Sequence, residues 1–193
     1  MKYRTILLFG APGSGKGTQG KILGTIPNFF HCACGDVFRN LTIESAIGRV
    51  FLDYSSRGEL VPDHYTVDLW QQTIQATTQN GRFHPERDTL VLDGLPRSVN
   101  QAEMLKQTVN VVGVFYLRCK KSEELIKRIQ RRALKENRLD DANLELIRTR
   151  LKTYEKETKP VLNYYGKKSV HLINADQTPV KVLSDILRHT LKA

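Results

Sequence analysis

Cysteine is scarce in this chain, with only Cys32, Cys34 and Cys119 among 193 residues. An odd number without the paired Cys-x2-Cys spacing offers neither a disulfide framework nor a cysteine zinc site, so the three are read as reduced thiols. Long apolar runs are also missing, and none approaches the roughly 20 residues a bilayer-spanning helix needs. The first apolar stretch, Ile6-Leu7-Leu8-Phe9, begins so soon after Met1 that it leaves no room for a signal or transit peptide, and a cytoplasmic location is expected. Acidic residues are the scarcer charge, 20 against 30 Lys and Arg, for a net +10 at pH 7. A nucleic-acid partner is one source of such an imbalance. The chain has no RNP-like aromatic motif or zinc-finger spacing, however, and its arginines concentrate between Arg128 and Arg150. Small phosphorylated ligands account for that cluster, so neither nucleic acid nor membrane is expected as a partner.

What the sequence does contain is the pattern of one α/β domain over 1–193. Five short apolar runs read as buried parallel strands: Ile6 to Phe9, Phe29 to Ala33, Thr89 to Leu92, Val111 to Leu117 and Val170 to Ile173. Between them, apolar residues at three-and-four spacing predict helices over Gly17 to Leu23, Tyr65 to Gln79, Gln101 to Thr108, Ser122 to Leu134, Leu144 to Tyr165 and Pro179 to Leu191. Strand alternating with helix predicts a doubly wound parallel sheet covered on both faces. Two segments fit the alternation poorly. Cys34 to Asp63 holds short amphipathic pieces, and Arg131 to Asp141 is a polar, basic connection between helices. Both read as insertions over the carboxyl ends of the strands, where open α/β sheets bind ligands.

Gly10-Ala11-Pro12-Gly13-Ser14-Gly15-Lys16-Gly17-Thr18 follows the first strand and opens the first helix. In that setting glycines let successive backbone N–H groups close on an anionic phosphate, and Lys16 reaches the outer phosphates as a point charge. A nucleoside triphosphate is the expected ligand. The loop departs from the general pattern, because Gly17 separates Lys16 from Thr18 where Ser or Thr normally follows the lysine and ligates Mg²⁺. Asp93 closes the third strand in Leu92-Asp93-Gly94-Leu95-Pro96-Arg97. A carboxylate there suits Mg²⁺ or its water shell. Asp-Gly is also a frequent turn pair, so a turn or cap role competes.

Taken together, the chain closely resembles the adenylate kinase family of nucleoside monophosphate kinases. The resemblance rests on Gly10 to Gln19, His31 to Arg39, Gly58 to Val61, Leu92 to Arg97 with Gln101, and Arg138 to Asp141 followed by Arg150, all in family order. It implies a P-loop three-layer sandwich with a five-stranded parallel sheet, a nucleoside monophosphate-binding insertion at 34–61 and a short lid at 131–141. The implied activity is transfer from Mg-ATP to AMP, giving two ADP, by a monomer. Longer lids of the family often carry a cysteine-rich zinc site; this one has no cysteine, so no structural zinc is expected.

By the same resemblance, the donor phosphates meet Gly13, Ser14, Gly15, Lys16, Gly17 and Thr18, with Arg128, Arg132 and Gln177 also on the ATP side. AMP meets Cys34, Arg39, Glu59, Leu60, Val61, Gly94, Leu95, Pro96, Arg97, Gln101, Arg138 and Arg150. Lys16, Arg97, Arg132, Arg138 and Arg150 form the catalytic set, and Asp93 holds Mg²⁺ through water. Phosphoryl transfer needs alignment and charge stabilisation more than covalent help, and guanidinium groups supply both. The competing reading of these arginines is a solvated helix face, which is the expectation for Arg131.

Cys34 departs from the family's usual Thr, and a thiol is the poorer hydrogen-bonding group. Gln101 favours AMP, because its amide can pair with an adenine edge through one donor and one acceptor, whereas pyrimidine-specific relatives tend to carry Asn. A UMP/CMP kinase is the nearest alternative. A GTPase switch lacks its guanine motif here, since Asn137-Arg138-Leu139-Asp140 has the wrong second residue. A non-catalytic nucleotide-dependent binder is the third alternative, supported only by the basic charge.

Overall fold

The computed structural model describes residues 2–136, 141 and 143–190. Its centre is a parallel sheet of β1 (Tyr3–Phe9), β2 (Phe29–Ala33), β3 (Thr89–Asp93), β4 (Val109–Arg118) and β5 (Val170–Asn174), in the order β2-β3-β1-β4-β5. All four pairings are parallel, as continuous apolar runs predict for strands covered on both faces. Successive side chains of β1 and β3 go to opposite faces. Leu7, Phe9, Leu90 and Leu92 join a core with Trp70 and Phe83, while Ile6, Leu8 and Val91 join one with Phe115, Ile173 and Ile186. Two cores on one sheet make three layers, as expected.

The helices are α1 (Lys16–Leu23), α2 (Cys34–Arg39), α3 (Ala46–Ser56), α4 (Asp63–Gln79), α5 (Val99–Leu105), α6 (Ser122–Glu136), α7 (Leu144–Thr153), α8 (Val161–Tyr165) and α9 (Pro179–Thr190). The short pieces expected between Cys34 and Asp63 are α2 and α3. α6 runs through Glu136, so the first residues of the expected polar connection are helical.

One expectation is corrected. The predicted single helix from Leu144 to Tyr165 breaks at a π-helical stretch, Tyr154–Thr158, with the Lys159 N–H donating to the Tyr154 carbonyl at 2.9 Å. Pro160 explains the break: it has no N–H to donate, and its ring would clash with the carbonyl four residues back. The wider turn ahead of it leaves Tyr154 lining the central cavity.

Register places the chemistry. Asp93 pairs with Leu8 of β1 and with Ala33 of β2, so the end of β3 lies level with the strand feeding the glycine-rich loop and next to Cys34. β1 lies between β3 and β4, and the chain fills the two sides of the sheet in turn from this central strand. That switch point is where a ligand crevice is expected.

Candidate active site

A cavity of about 820 Å³ opens over this switch point. Its floor is the glycine-rich loop. Gly13 adopts φ +80°, and a Cβ there would come within 2.8 Å of the Leu125 carbonyl of α6, so backbone packing as well as conformation demands glycine. Gly15 caps α1 at φ +95°. The Ser14 hydroxyl is buried without a hydrogen-bond partner, an orphaned donor in a loop of backbone N–H groups. Such a cradle fits an anionic phosphate.

Lys16 folds back into the loop, its Nζ donating to the Gly10 carbonyl at 2.6 Å and to the Ala11 carbonyl at 3.1 Å. Burial, opposed by the charge of Asp93 and reinforced by Arg97, Arg132 and Arg150, pushes Lys16 down to about 8. Arg97, Arg132 and Arg150 line the same cavity as Lys16. Only the protonated amine attracts phosphate, so deprotonation above that value removes the interaction. The expected result is an affinity for a nucleoside triphosphate that falls about tenfold per unit above about pH 8, read from binding titrations across that range. A flat profile over that range would contradict it.

Asp93 is 8% exposed and sits beside Gly17, whose Cβ would lie 3.7 Å from its Oδ2. His31 Nε2 approaches the same oxygen at 4.0 Å, and burial lowers the His31 pKa from its ordinary value. Gly20 makes room for that ring, since a Cβ there would meet His31 Nε2 at 2.2 Å. Among the described residues no group of three or more His, Cys, Asp or Glu is placed to hold a metal. A single carboxylate at a phosphate cradle suits Mg²⁺, which keeps most of its water and takes the rest of its ligands from phosphates.

The arginines are each held by the fold. Arg97 Nε donates to the Gly94 carbonyl at 2.7 Å, and burial lowers its pKa from the usual arginine value. Arg132 Nε donates to Asp141 Oδ2 at 2.7 Å, and Arg150 Nη1 donates to Asp141 Oδ1. Asp141 has a fully buried side chain and so bridges α6 and α7 through two guanidinium groups. Arg128 Nη1 donates to the Ala175 carbonyl at 3.0 Å, joining α6 to the loop after β5 that carries Gln177. Arg39 pairs with Asp36 at 2.6 Å.

Of the sequence-predicted site residues, Gly13 to Thr18, Cys34, Arg39, Glu59 to Val61, Asp93, Gly94, Pro96, Arg97, Gln101, Arg128, Arg132, Arg150 and Gln177 line this one cavity. Leu95 does not: it is 1% exposed in the core, as befits an apolar side chain next to the strand. Arg138 lies outside the described residues. Arg131, expected on a solvated face, also reaches the cavity wall. Reasoning from sequence also missed Tyr154 and Thr158, brought to the wall by the π-helical stretch, and Asp63, whose partners are far away in the chain. No helix among the described residues is long and apolar enough to cross a membrane.

The model of the adenylate kinase family matches residues 8–170. An adenylate kinase of Parabacteroides distasonis is 36% identical over 172 residues, covering 86% of this chain and 86% of its own. One of a Cyanothece species is 35% identical over 188 residues, covering 94% and 92%. One of Flavobacterium psychrophilum is 31% identical over 194 residues, covering 95% and 98%.

Proposed function

The chain belongs to the adenylate kinase family, and we propose that its central cavity seats two nucleotides end to end for transfer of a phosphoryl group from Mg-ATP to AMP, giving two ADP. The observation that carries this is the convergence of Lys16, Arg97, Arg132 and Arg150 above a phosphate cradle in a cavity long enough to run from Gln177 to Gln101. A phosphate oxygen of AMP attacks the terminal phosphorus of ATP, the bond from that phosphorus to the bridging oxygen breaks, and ADP results on both sides. Charge in the transition state spreads over the equatorial oxygens, where Lys16 and the arginines act.

On the donor side, residues 13–18 hold the triphosphate, Arg128 and Arg132 neutralise it, and Gln177 borders the base. Asp93 would hold Mg²⁺ through water, and the metal would neutralise charge on the donor phosphates when bound. On the acceptor side, Cys34, Arg39, Gly94 to Arg97 and Gln101 surround AMP, with 59–61 offering backbone. Residues 34–61 close on the acceptor, and 131–141, of which Asp141 and 131–136 are described, act as a lid that excludes competing water. We assign the protein a cytoplasmic, monomeric role in nucleotide interconversion, acting on free nucleotides rather than on nucleic acid or membranes.

The acceptor assignment is tested at Gln101. In Gln101→Asn the amide retreats by one methylene, and kcat/KM for AMP is expected to fall by about tenfold or more while use of UMP or CMP falls less. Equal losses with all acceptors would remove Gln101 from base recognition.

A further inference from the structure

Gln101 is held at three atoms. Its N–H donates to the Ser98 hydroxyl oxygen at 3.0 Å, its Oε1 accepts from the Arg97 N–H at 2.6 Å, and its Nε2 donates to Asp63 Oδ1 at 2.7 Å. Asp63 opens α4 immediately after Pro62, where the chain leaves the Gly58 to Val61 wall of the cavity. Its other oxygen accepts from the Ser98 hydroxyl at 2.9 Å and from Asn100 Nδ2 at 2.8 Å. One carboxylate at the start of α4 thus collects three donors from the start of α5, 35 to 38 positions away in sequence.

We propose that Asp63 is a positioning residue that sets acceptor-base specificity by locking the orientation of the Gln101 amide. This rests on the reading of Gln101 as the residue that meets the acceptor base. A carboxylate only accepts and a backbone N–H only donates. The Gln101 amide must therefore turn its NH₂ toward Asp63 and its oxygen toward Arg97. Each amide atom keeps one further valence, a hydrogen on Nε2 and a lone pair on Oε1, for the cavity that Gln101 lines.

The lock fixes the order in which donor and acceptor are offered. Adenine and cytosine present an exocyclic NH₂ beside a ring-nitrogen acceptor, whereas guanine and uracil present a carbonyl beside a ring N–H. To pair with the second pattern the amide would have to turn over. That places Oε1 against the Asp63 carboxylate and Nε2 against the Arg97 N–H, two like-to-like contacts in a nearly buried site. Discrimination against guanine and uracil then comes from repulsion built behind the amide as well as from attraction to the right base. Rejection of cytosine is left to fit.

The test measures kcat/KM for AMP, GMP, UMP and CMP with Mg-ATP in wild type, Asp63→Ala, Asp63→Asn, Gln101→Ala and the Asp63→Ala/Gln101→Ala double variant. The expected result for Asp63→Ala is a drop of about tenfold in the AMP:GMP and AMP:UMP ratios, with the AMP:CMP ratio and the KM for ATP little changed. Asp63→Asn, which can present an NH₂ to Gln101 as well as a carbonyl, loosens the lock and lowers the same two ratios by less than Asp63→Ala does, because the Arg97 N–H still favours Oε1. The double variant discriminates no worse than Gln101→Ala alone, as required if Asp63 acts through Gln101. Equal losses for all four acceptors in Asp63→Ala, with ratios shifted in Gln101→Ala, would reduce Asp63 to a structural tie and overturn the inference alone. Unchanged ratios in Gln101→Ala would overturn the acceptor reading and the inference with it.

Discussion

Lys16→Met lowers kcat/KM for Mg-ATP with AMP by ~10³-fold or more and leaves the fold intact. Methionine keeps most of the stem and removes the ammonium. That ammonium is held inside the loop by the Gly10 and Ala11 carbonyls, already placed at the phosphate cradle, so little reorganisation accompanies its use. Burial pushes Lys16 down to about 8, so its charge is held at a cost to the fold. Removing it therefore relieves that cost, and the thermal midpoint is not expected to fall by more than a few degrees. Steady-state kinetics with a parallel thermal melt read both halves. A loss below about tenfold would mean that Lys16 is not at the transferring phosphate.

The second large effect is expected at Asp141, which touches neither nucleotide in the proposed arrangement. Its side chain is wholly buried, while those of Arg132 and Arg150 are 29% and 21% exposed. The carboxylate offsets the mutual repulsion of two guanidinium groups and fixes where both point. Asp141→Ala lets each arginine turn toward water, so the stability cost is moderate, about 1–3 kcal/mol. Catalysis suffers more, because displacement of a transferring-site cation by about 1 Å costs on the order of 10²-fold in rate. The loss falls mainly on kcat, and Asp141→Asn, which retains one acceptor oxygen, lies between. A kcat within about threefold of wild type in Asp141→Ala would show that the arginines need no such tether.

How far the sequence discloses these features differs with the range of the interactions involved. The strand Phe29–Ala33 coincides with its predicted limits, β1 begins three residues earlier, and the others differ by a residue or two at an end, because strands covered on both faces are continuous apolar runs. The phosphate cradle is legible because its glycines and lysine are consecutive. Pro160 stood in plain view inside a predicted helix, but the compensating π-helical turn depends on what packs around Tyr154. Asp63 stands in the sequence only as the last residue of the Cys34 to Asp63 segment, two positions before the helix predicted from Tyr65. Its role follows from Ser98, Asn100 and Gln101, which a neighbouring helix brings to it. Asp141 in sequence is no more than the end of a polar connection, and its tie to two arginines, each nine residues away, appears only in the folded chain.

The most direct test of the central claim is nucleoside diphosphate formation by the purified protein from Mg-ATP with AMP, UMP, CMP and GMP in turn. The account predicts fast turnover with AMP, two ADP formed for each ATP consumed, and slower transfer to the other three. Preference for UMP or CMP would keep the fold and the cation cluster but contradict the assignment of Gln101, and no transfer to any acceptor would contradict the reading of the cavity as a two-nucleotide transfer site.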